Sequence, residues 1–316
     1  MVSIEPLQAV NAAGPWRHRD VAANGTRLHV VEAGEGPLVL LVHGFPMFWW
    51  TWRHLLTELA DAGYRAAAVD LRGYGGSDRP PRGYDPFTLS RDIASVIRSL
   101  GEPGAALIGH GTGGVLAWTT AAFHPSVVRR LVAVSAPHPV RLRHGLLRDR
   151  AQSAALSYVL GYQRPWIPER QLTANHAAEV EAFLRKWAGK PRWPDRDTAD
   201  RYRAAFGIQH TAHCALEFDR WAVRSIPRPD GRRYVREATQ ARVTAPVLQL
   251  HGEFDRNILP RTALGSEAFV DAPYAWRYVF GTGHFPHEED PVAFNDLVLN
   301  WLDSTPPWSD QADAAP

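Results

Sequence analysis

The 316-residue sequence predicts an α/β fold: a mostly parallel central sheet flanked by helices, interrupted by one helical insertion. Three observations lead there. Short apolar runs of strand length recur along the chain, separated by stretches with helical periodicity. Several of these runs, LVLLV at 38–42 above all, do not alternate apolar and polar residues, as expected of strands covered on both faces. The alternation of strand and helix then stops between Val140 and Val243. There, prolines, arginines and helical periodicity continue for about a hundred residues without an apolar strand run.

In chain order the predicted strands are 27–32 (RLHVVE), 38–43 (LVLLVH), 65–70 (RAAAVD), 104–109 (GAALIG), 130–135 (RLVAVS), 246–251 (PVLQLH) and 275–280 (AWRYVF). Helical patterns fill 49–62, 87–100, 113–123, 261–269 and 290–303. The chain therefore divides into a first core segment (1–139), a helical cap (140–243), a second core segment (244–303) and a flexible tail (304–316, STPPWSDQADAAP).

Composition narrows the function. With 45% hydrophobic and 22% charged residues the chain is neither disordered nor fibrous, and a formal charge of +2 is too mild to argue for nucleic acid. The arginine cluster RLRHGLLRDR at 141–150 reads as a solvated helix face, with an anion or a membrane surface as the alternative. The single cysteine, Cys214, excludes an internal disulfide and a cysteine-based metal framework. No pattern of a signal peptide or a membrane span is visible. The expectation is a cytoplasmic protein, monomer or homodimer, with no metal and no cofactor.

Chemistry gathers at predicted strand ends, because parallel strands bring their carboxyl ends to one edge. His43-Gly44-Phe45-Pro46 closes the second strand, and its glycine leaves the Phe45 amide free to donate to a developing oxyanion. LIGHGTGGVLAW at 107–118 has the form of a strand–turn–helix elbow that carries a nucleophile, yet its central residue is Gly111. The Thr112 amide at the helix start is a second oxyanion donor. LHGEFDRN (250–257) puts Asp255 just past one strand, and GTGHFPHEEDP (281–291) puts His284 just past the last. A carboxylate holding histidine Nδ1–H presents a basic Nε2, so these two supply the acid and the base of a triad. Singly, each residue has a bland reading as a turn former or loop histidine; together, at matched strand ends, they read as a site.

The set HGFPMFWWTWRH, DLRGYGGSDRP, GHGTGG, LHGEFDRN and GTGHFPHEEDP resembles the epoxide hydrolases of the α/β-hydrolase superfamily, over nearly the whole chain outside the tail. The resemblance implies the α/β-hydrolase fold with a helical cap. It also implies a reaction in which an elbow aspartate attacks an epoxide carbon and histidine-activated water then hydrolyses the ester. His284 matches the family's base, Asp255 its orienting acid, and the amides of Phe45 and Thr112 its oxyanion hole. SYVLGYQRPWIPE (157–169) resembles the stretch bearing the first ring-opening tyrosine, placed at Tyr158. HCALEFDRWAVRS (213–225) resembles the stretch bearing the second, where Asp219 stands instead, paired on the bland reading with Arg220. His43, Trp49 and His110 are expected to bind substrate, His110 also bracing the elbow, and an apolar wall would suit a hydrophobic molecule.

With Gly111 at the elbow the family's covalent route cannot run. Three readings remain: hydrolysis of an epoxide or ester by water that His284 activates, a pseudoenzyme that binds an apolar ligand or a protein partner, or an inactivating substitution in an ordinary member. The second departure at Asp219 argues against the last.

Overall fold

A computed structural model describes residues 4–304; the tail expected to be flexible, apart from Ser304, lies outside the described residues. Eight strands form one sheet: β1 (Arg17–Ala23), β2 (Thr26–Ala33), β3 (Leu38–Val42), β4 (Arg65–Val69), β5 (Ala105–His110), β6 (Val128–Val134), β7 (Val247–Gly252) and β8 (Tyr274–Val279). Their order is β1-β2-β4-β3-β5-β6-β7-β8. Only the β1–β2 and β2–β4 pairings are antiparallel; β4 through β8 run parallel. β3 and β5 at the centre are buried along their whole length, which is why their sequences carry no alternation.

β1 escaped the sequence reading. RHRDVAA buries only Val21 and Ala23, because it is an edge strand whose charged residues meet water and discourage further pairing.

Helices α1 (Pro6–Val10), α2 (Arg53–Asp61), α3 (Pro86–Ser99) and α4 (Thr112–Phe123) precede β6. Between β6 and β7 lie α5 (Pro139–Arg148), α6 (Arg150–Ala155), α7 (Tyr158–Gly161), α8 (Ile167–Trp187), α9 (Arg196–Phe206), α10 (Thr211–Arg224) and α11 (Pro229–Gln240), with no strand among the described residues of that stretch. α12 (Pro260–Ala263), α13 (Pro286–Glu289) and α14 (Pro291–Ser304) complete the chain. α8 is broken at Ala174–Ala177, where Asn175, His176 and Ala177 turn left-handed. Among the described residues no helix is long and apolar enough to cross a membrane.

Two local features set the site. α4 starts against the end of β3 so closely that a Cβ at Gly113 would collide with the carbonyl oxygens of Val42 and His43. The loop after β4 is tied by Asp70, which accepts from the backbone N–H of Trp49 at 2.7 Å and of Gly76 at 2.9 Å and pairs with His29 at 2.8 Å. These ties make the loop a structural knot.

Candidate active site

A cavity of about 380 Å³ lies between the carboxyl ends of β3, β5 and β6 and helices α5, α7 and α10 of the insertion. It draws together Phe45, Gly111, Thr112, Tyr158, Asp219 and His284, six residues singled out from distant parts of the sequence. Most of the remaining wall is apolar, including Leu142, Leu156, Trp187 and Ile258.

Gly111 follows β5 and caps α4 with φ 53° and ψ −120°, a conformation that costs a side-chain-bearing residue about 1–3 kcal/mol and glycine much less. Its N–H donates to Val134 O at 3.0 Å and its carbonyl accepts from Val115 N–H at 3.0 Å, so both neighbours fix the turn. A side chain starting at residue 111 would begin 3.4 Å from His284 Nε2. A side chain at this turn would therefore address His284.

His284 sits in the loop after β8. Its Nδ1–H donates to Asp255 Oδ2 at 2.8 Å, which fixes the tautomer that leaves a lone pair on Nε2. Its backbone N–H donates to Trp187 O at 2.9 Å, and its carbonyl accepts from His110 Nε2–H at 2.8 Å. Asp255, just past β7, is buried. Its Oδ1 accepts from the N–H groups of Asn257 and Ile258, each at 2.9 Å, and its Oδ2 also meets His251 Nε2 at 3.2 Å. Burial alone would raise this carboxyl; the imidazoles of His284 and His251 instead hold it well below the ordinary carboxylate range.

Two side chains of the insertion face the same space. The Tyr158 ring packs on Tyr162, Phe183 and Trp187, and burial together with the nearby Asp219 carboxyl keeps its phenol protonated far above its usual range. Asp219 has no hydrogen-bond or ion-pair partner among the described residues. It is half-buried and lines the cavity, and burial pushes its carboxyl up to about 7. The expected pairing with Arg220 is corrected: Arg220 turns away, donating to Glu169 at 2.7 Å, Glu217 at 3.1 Å and Tyr162 O at 2.8 Å.

Three further expectations are corrected. Trp49 is core, donating from Nε1 to Val10 O at 2.7 Å and packing on Trp16 and Phe48. His43 lies behind the cavity wall, its Nε2 accepting from Leu71 N–H at 3.1 Å and its Nδ1–H donating to Gly44 O at 3.0 Å. His110 is buried beneath the His284 loop, where burial and then the neighbouring His284 hold it neutral. None of the three lines the cavity.

The sequence reading missed Asn257 and Trp187. Asn257 Oδ1 accepts from Tyr158 Oη–H at 3.2 Å, and its Nδ2 donates to His284 Nε2, also at 3.2 Å. It stood in a quoted motif, two residues past Asp255, but nothing in sequence spacing tells a turn asparagine from one that reaches an imidazole. Trp187 ends α8 and sets its ring edge-on to His284 at 5.7 Å. Among the described residues no cluster suited to a metal ion occurs.

As for oxyanion donors, Thr112 is the first residue of α4, so its N–H has no acceptor within the helix. Among the described residues the Phe45 N–H has none either. Both residues line the cavity, as does Gly111.

Comparison with known proteins agrees with this architecture. A family model described as "alpha/beta hydrolase fold" matches residues 37–291. Epoxide hydrolase 4 of Mus musculus is 42% identical over 287 residues, covering 88% of this chain and 77% of that protein. Epoxide hydrolase 3 of Xenopus tropicalis is 31% identical over 295 residues, with 88% and 75% covered. The crystal structure of a Bacillus megaterium epoxide hydrolase in complex with an inhibitor superposes with a TM-score of 0.80 at 25% identity, covering 90% of this chain and 100% of that one. The eight-stranded, mostly parallel sheet and these likenesses place the chain in the α/β-hydrolase superfamily, in its epoxide hydrolase-like family.

Proposed function

We propose that the chain is a hydrolase of apolar small molecules, an epoxide or an activated ester, that adds water in one step with no covalent intermediate. The observation that carries this reading is a paired Asp255–His284 base that addresses the elbow, Nε2 lying 3.4 Å from where a residue-111 side chain would start, with glycine at that position. Whatever His284 deprotonates must enter with the substrate, and water is the reactant at hand.

On an epoxide, the water oxygen forms its bond to a ring carbon while its proton passes to His284 Nε2, and Asp255 stabilises the imidazolium. The carbon–oxygen bond breaks, and the ring oxygen takes a proton from the Asp219 carboxyl while Tyr158 donates a hydrogen bond. The imidazolium proton leaves to solvent and Asp219 takes one up, which restores the starting state. A carboxyl near 7 is half protonated at neutral pH and is a far stronger acid than the phenol the family resemblance puts there. On an ester, the amides of Phe45 and Thr112 would hold the tetrahedral oxyanion. An epoxide opened directly by water never forms one, so dependence on these amides separates the two substrate classes.

General acid and base assistance are each worth about 10²- to 10⁴-fold, so turnover is expected to be slow. A second reading, a binding protein without turnover, is favoured by one contact: Asn257 Nδ2 already meets His284 Nε2 at 3.2 Å. The experiment is a panel of epoxides and aryl esters offered to the unmodified protein, His284→Ala and Gly111→Asp. Turnover that disappears in His284→Ala supports the water route. Silence in the unmodified protein with turnover in Gly111→Asp identifies a dormant site. Silence in both, with tight binding of an apolar ligand, removes the enzyme reading.

A further inference from the structure

Tyr158, Asn257, His284 and Asp255 form one unbroken chain of hydrogen bonds across the cavity. Tyr158 Oη–H donates to Asn257 Oδ1 at 3.2 Å, Asn257 Nδ2–H donates to His284 Nε2 at 3.2 Å, and His284 Nδ1–H donates to Asp255 Oδ2 at 2.8 Å. The amide lies between the residue that meets the substrate's oxygen and the base that must meet the water. Its backbone is independently fixed: the Asn257 N–H is held by Asp255 Oδ1 at 2.9 Å and its carbonyl by Gln152 Nε2 at 2.9 Å. Only the side chain is free to change partners.

We infer that Asn257 is a positioning residue that couples substrate binding to activation of the hydrolytic water. This deepens the water-addition reading and rests on it. The Asn257 amide occupies the His284 lone pair, so the base is capped. When a substrate oxygen takes the Tyr158 hydrogen bond, Asn257 Oδ1 loses its donor and becomes a free acceptor beside His284 Nε2. A water arriving there donates one hydrogen to Oδ1 and the other to Nε2, displacing Nδ2. One of its two lone pairs is thereby aimed at the substrate carbon near Gly111. Asn257 thus does the orienting that a residue-111 carboxylate would make unnecessary, and it touches neither the breaking bond nor the leaving oxygen. An acceptor that fixes one hydrogen of a nucleophilic water narrows its orientations before the attack, and misplacement of a reactant by 1 Å can cost about 100-fold in rate.

Two substitutions test the coupling. Asn257→Leu removes both acceptor and donor at similar volume; we expect kcat on the best epoxide or ester of the panel to fall about 10- to 100-fold, with KM changed less than about threefold. Asn257→Asp keeps the acceptor, so it should restore most of that loss, and it sets an anion against Nε2. NMR titration of the His284 ring should then move its midpoint upward by about one pH unit or more. The ring titration reads the contact without any turnover. A His284 midpoint unchanged within about 0.2 pH unit in Asn257→Asp, or an Asn257→Leu variant with kcat within twofold of the unmodified protein, overturns the inference and leaves the water route standing. No turnover by the unmodified protein on any substrate overturns both together.

Discussion

At the scale of single residues, the unusual group is the Asp219 carboxyl, which lines an apolar cavity with no cation paired to it among the described residues and is pushed up to about 7 because burial disfavours its charge. In the unfolded chain an aspartate titrates near 3.9. The folded protein therefore binds the proton more tightly, and stability from this group falls as pH rises from about 4 to about 7. Asn, which mimics the protonated acid, escapes that loss. Asp219→Asn should be stabilised relative to the unmodified protein by an amount that grows from pH 4 to 7, reaching on the order of 4 kcal/mol, and then levels off. Thermal melts across that range check it; an advantage independent of pH would contradict it. If the same carboxyl is the proton donor, kcat should decline as pH rises through about 7, and Asp219→Asn should be slower by about 10- to 100-fold without that decline.

What the sequence could say at this scale was uneven. Asp255 and His284 were legible because each stands just beyond a strand whose apolar run announces it. Asp219 was placed only by likeness of LEFDR to a tyrosine-bearing stretch, and its neighbour Arg220 was given the wrong partner. Which way a guanidinium turns depends on Glu169, some fifty residues away in sequence. Trp49 and His43 looked like pocket residues because they stand in or just after HGFP, but Val10 and Leu71 claim their polar atoms inside the core.

At the scale of elements, the elbow between β5 and α4 decides what chemistry is open. Gly111→Asp has room, with its Cβ at ordinary contact distance from His284 Nε2, but must hold φ 53°. We expect it to lower stability by about 1–2 kcal/mol, and an unchanged or raised Tm would contradict this. The same carboxylate lies in line with the base. The double variant Gly111→Asp/His284→Ala should therefore accumulate a covalent adduct with an epoxide, seen as a mass increase equal to the substrate, since the ester forms and no base hydrolyses it. Gly113→Ala tests the neighbouring constraint: its Cβ would strike the Val42 and His43 carbonyls, and we expect a loss of about 1–3 kcal/mol or failure to fold.

The elements themselves were largely readable. Runs such as LVLLV and AALIG are buried on both faces and so declare themselves by apolarity alone. The edge strand β1 and the four- and five-residue helices α1, α7 and α13 were not legible, because such short or solvent-facing segments carry too few buried positions to set a period.

At the scale of the whole molecule, the site exists only because two parts of the chain close on one cavity. Strand ends contribute Phe45, Gly111, Thr112, Asn257 and His284, and the helices between β6 and β7 contribute Tyr158, Asp219 and Trp187. The Glu289 carboxylate fastens the two together, accepting from the N–H of Gly283 in the His284 loop at 3.0 Å and from those of Gly189 and Lys190 after α8 at 2.8 and 2.9 Å. That the long strandless stretch is helical followed from its periodicity. That it would bring a tyrosine and an unpaired carboxyl to the cavity that His284 lines did not, since helix-to-sheet docking is set by side-chain packing that periodicity does not encode.

The central claim is that water, and no protein group, supplies the oxygen added to the substrate. A single turnover in oxygen-18 water, with protein in excess over an epoxide from the panel, measures it directly by mass spectrometry of the diol. The account predicts that the diol from the first turnover carries the heavy isotope in full, whereas Gly111→Asp, attacking through its own carboxylate, delivers ordinary oxygen. A first-turnover diol from the unmodified protein that contains ordinary oxygen in its new hydroxyl would place a protein nucleophile in the reaction and contradict it.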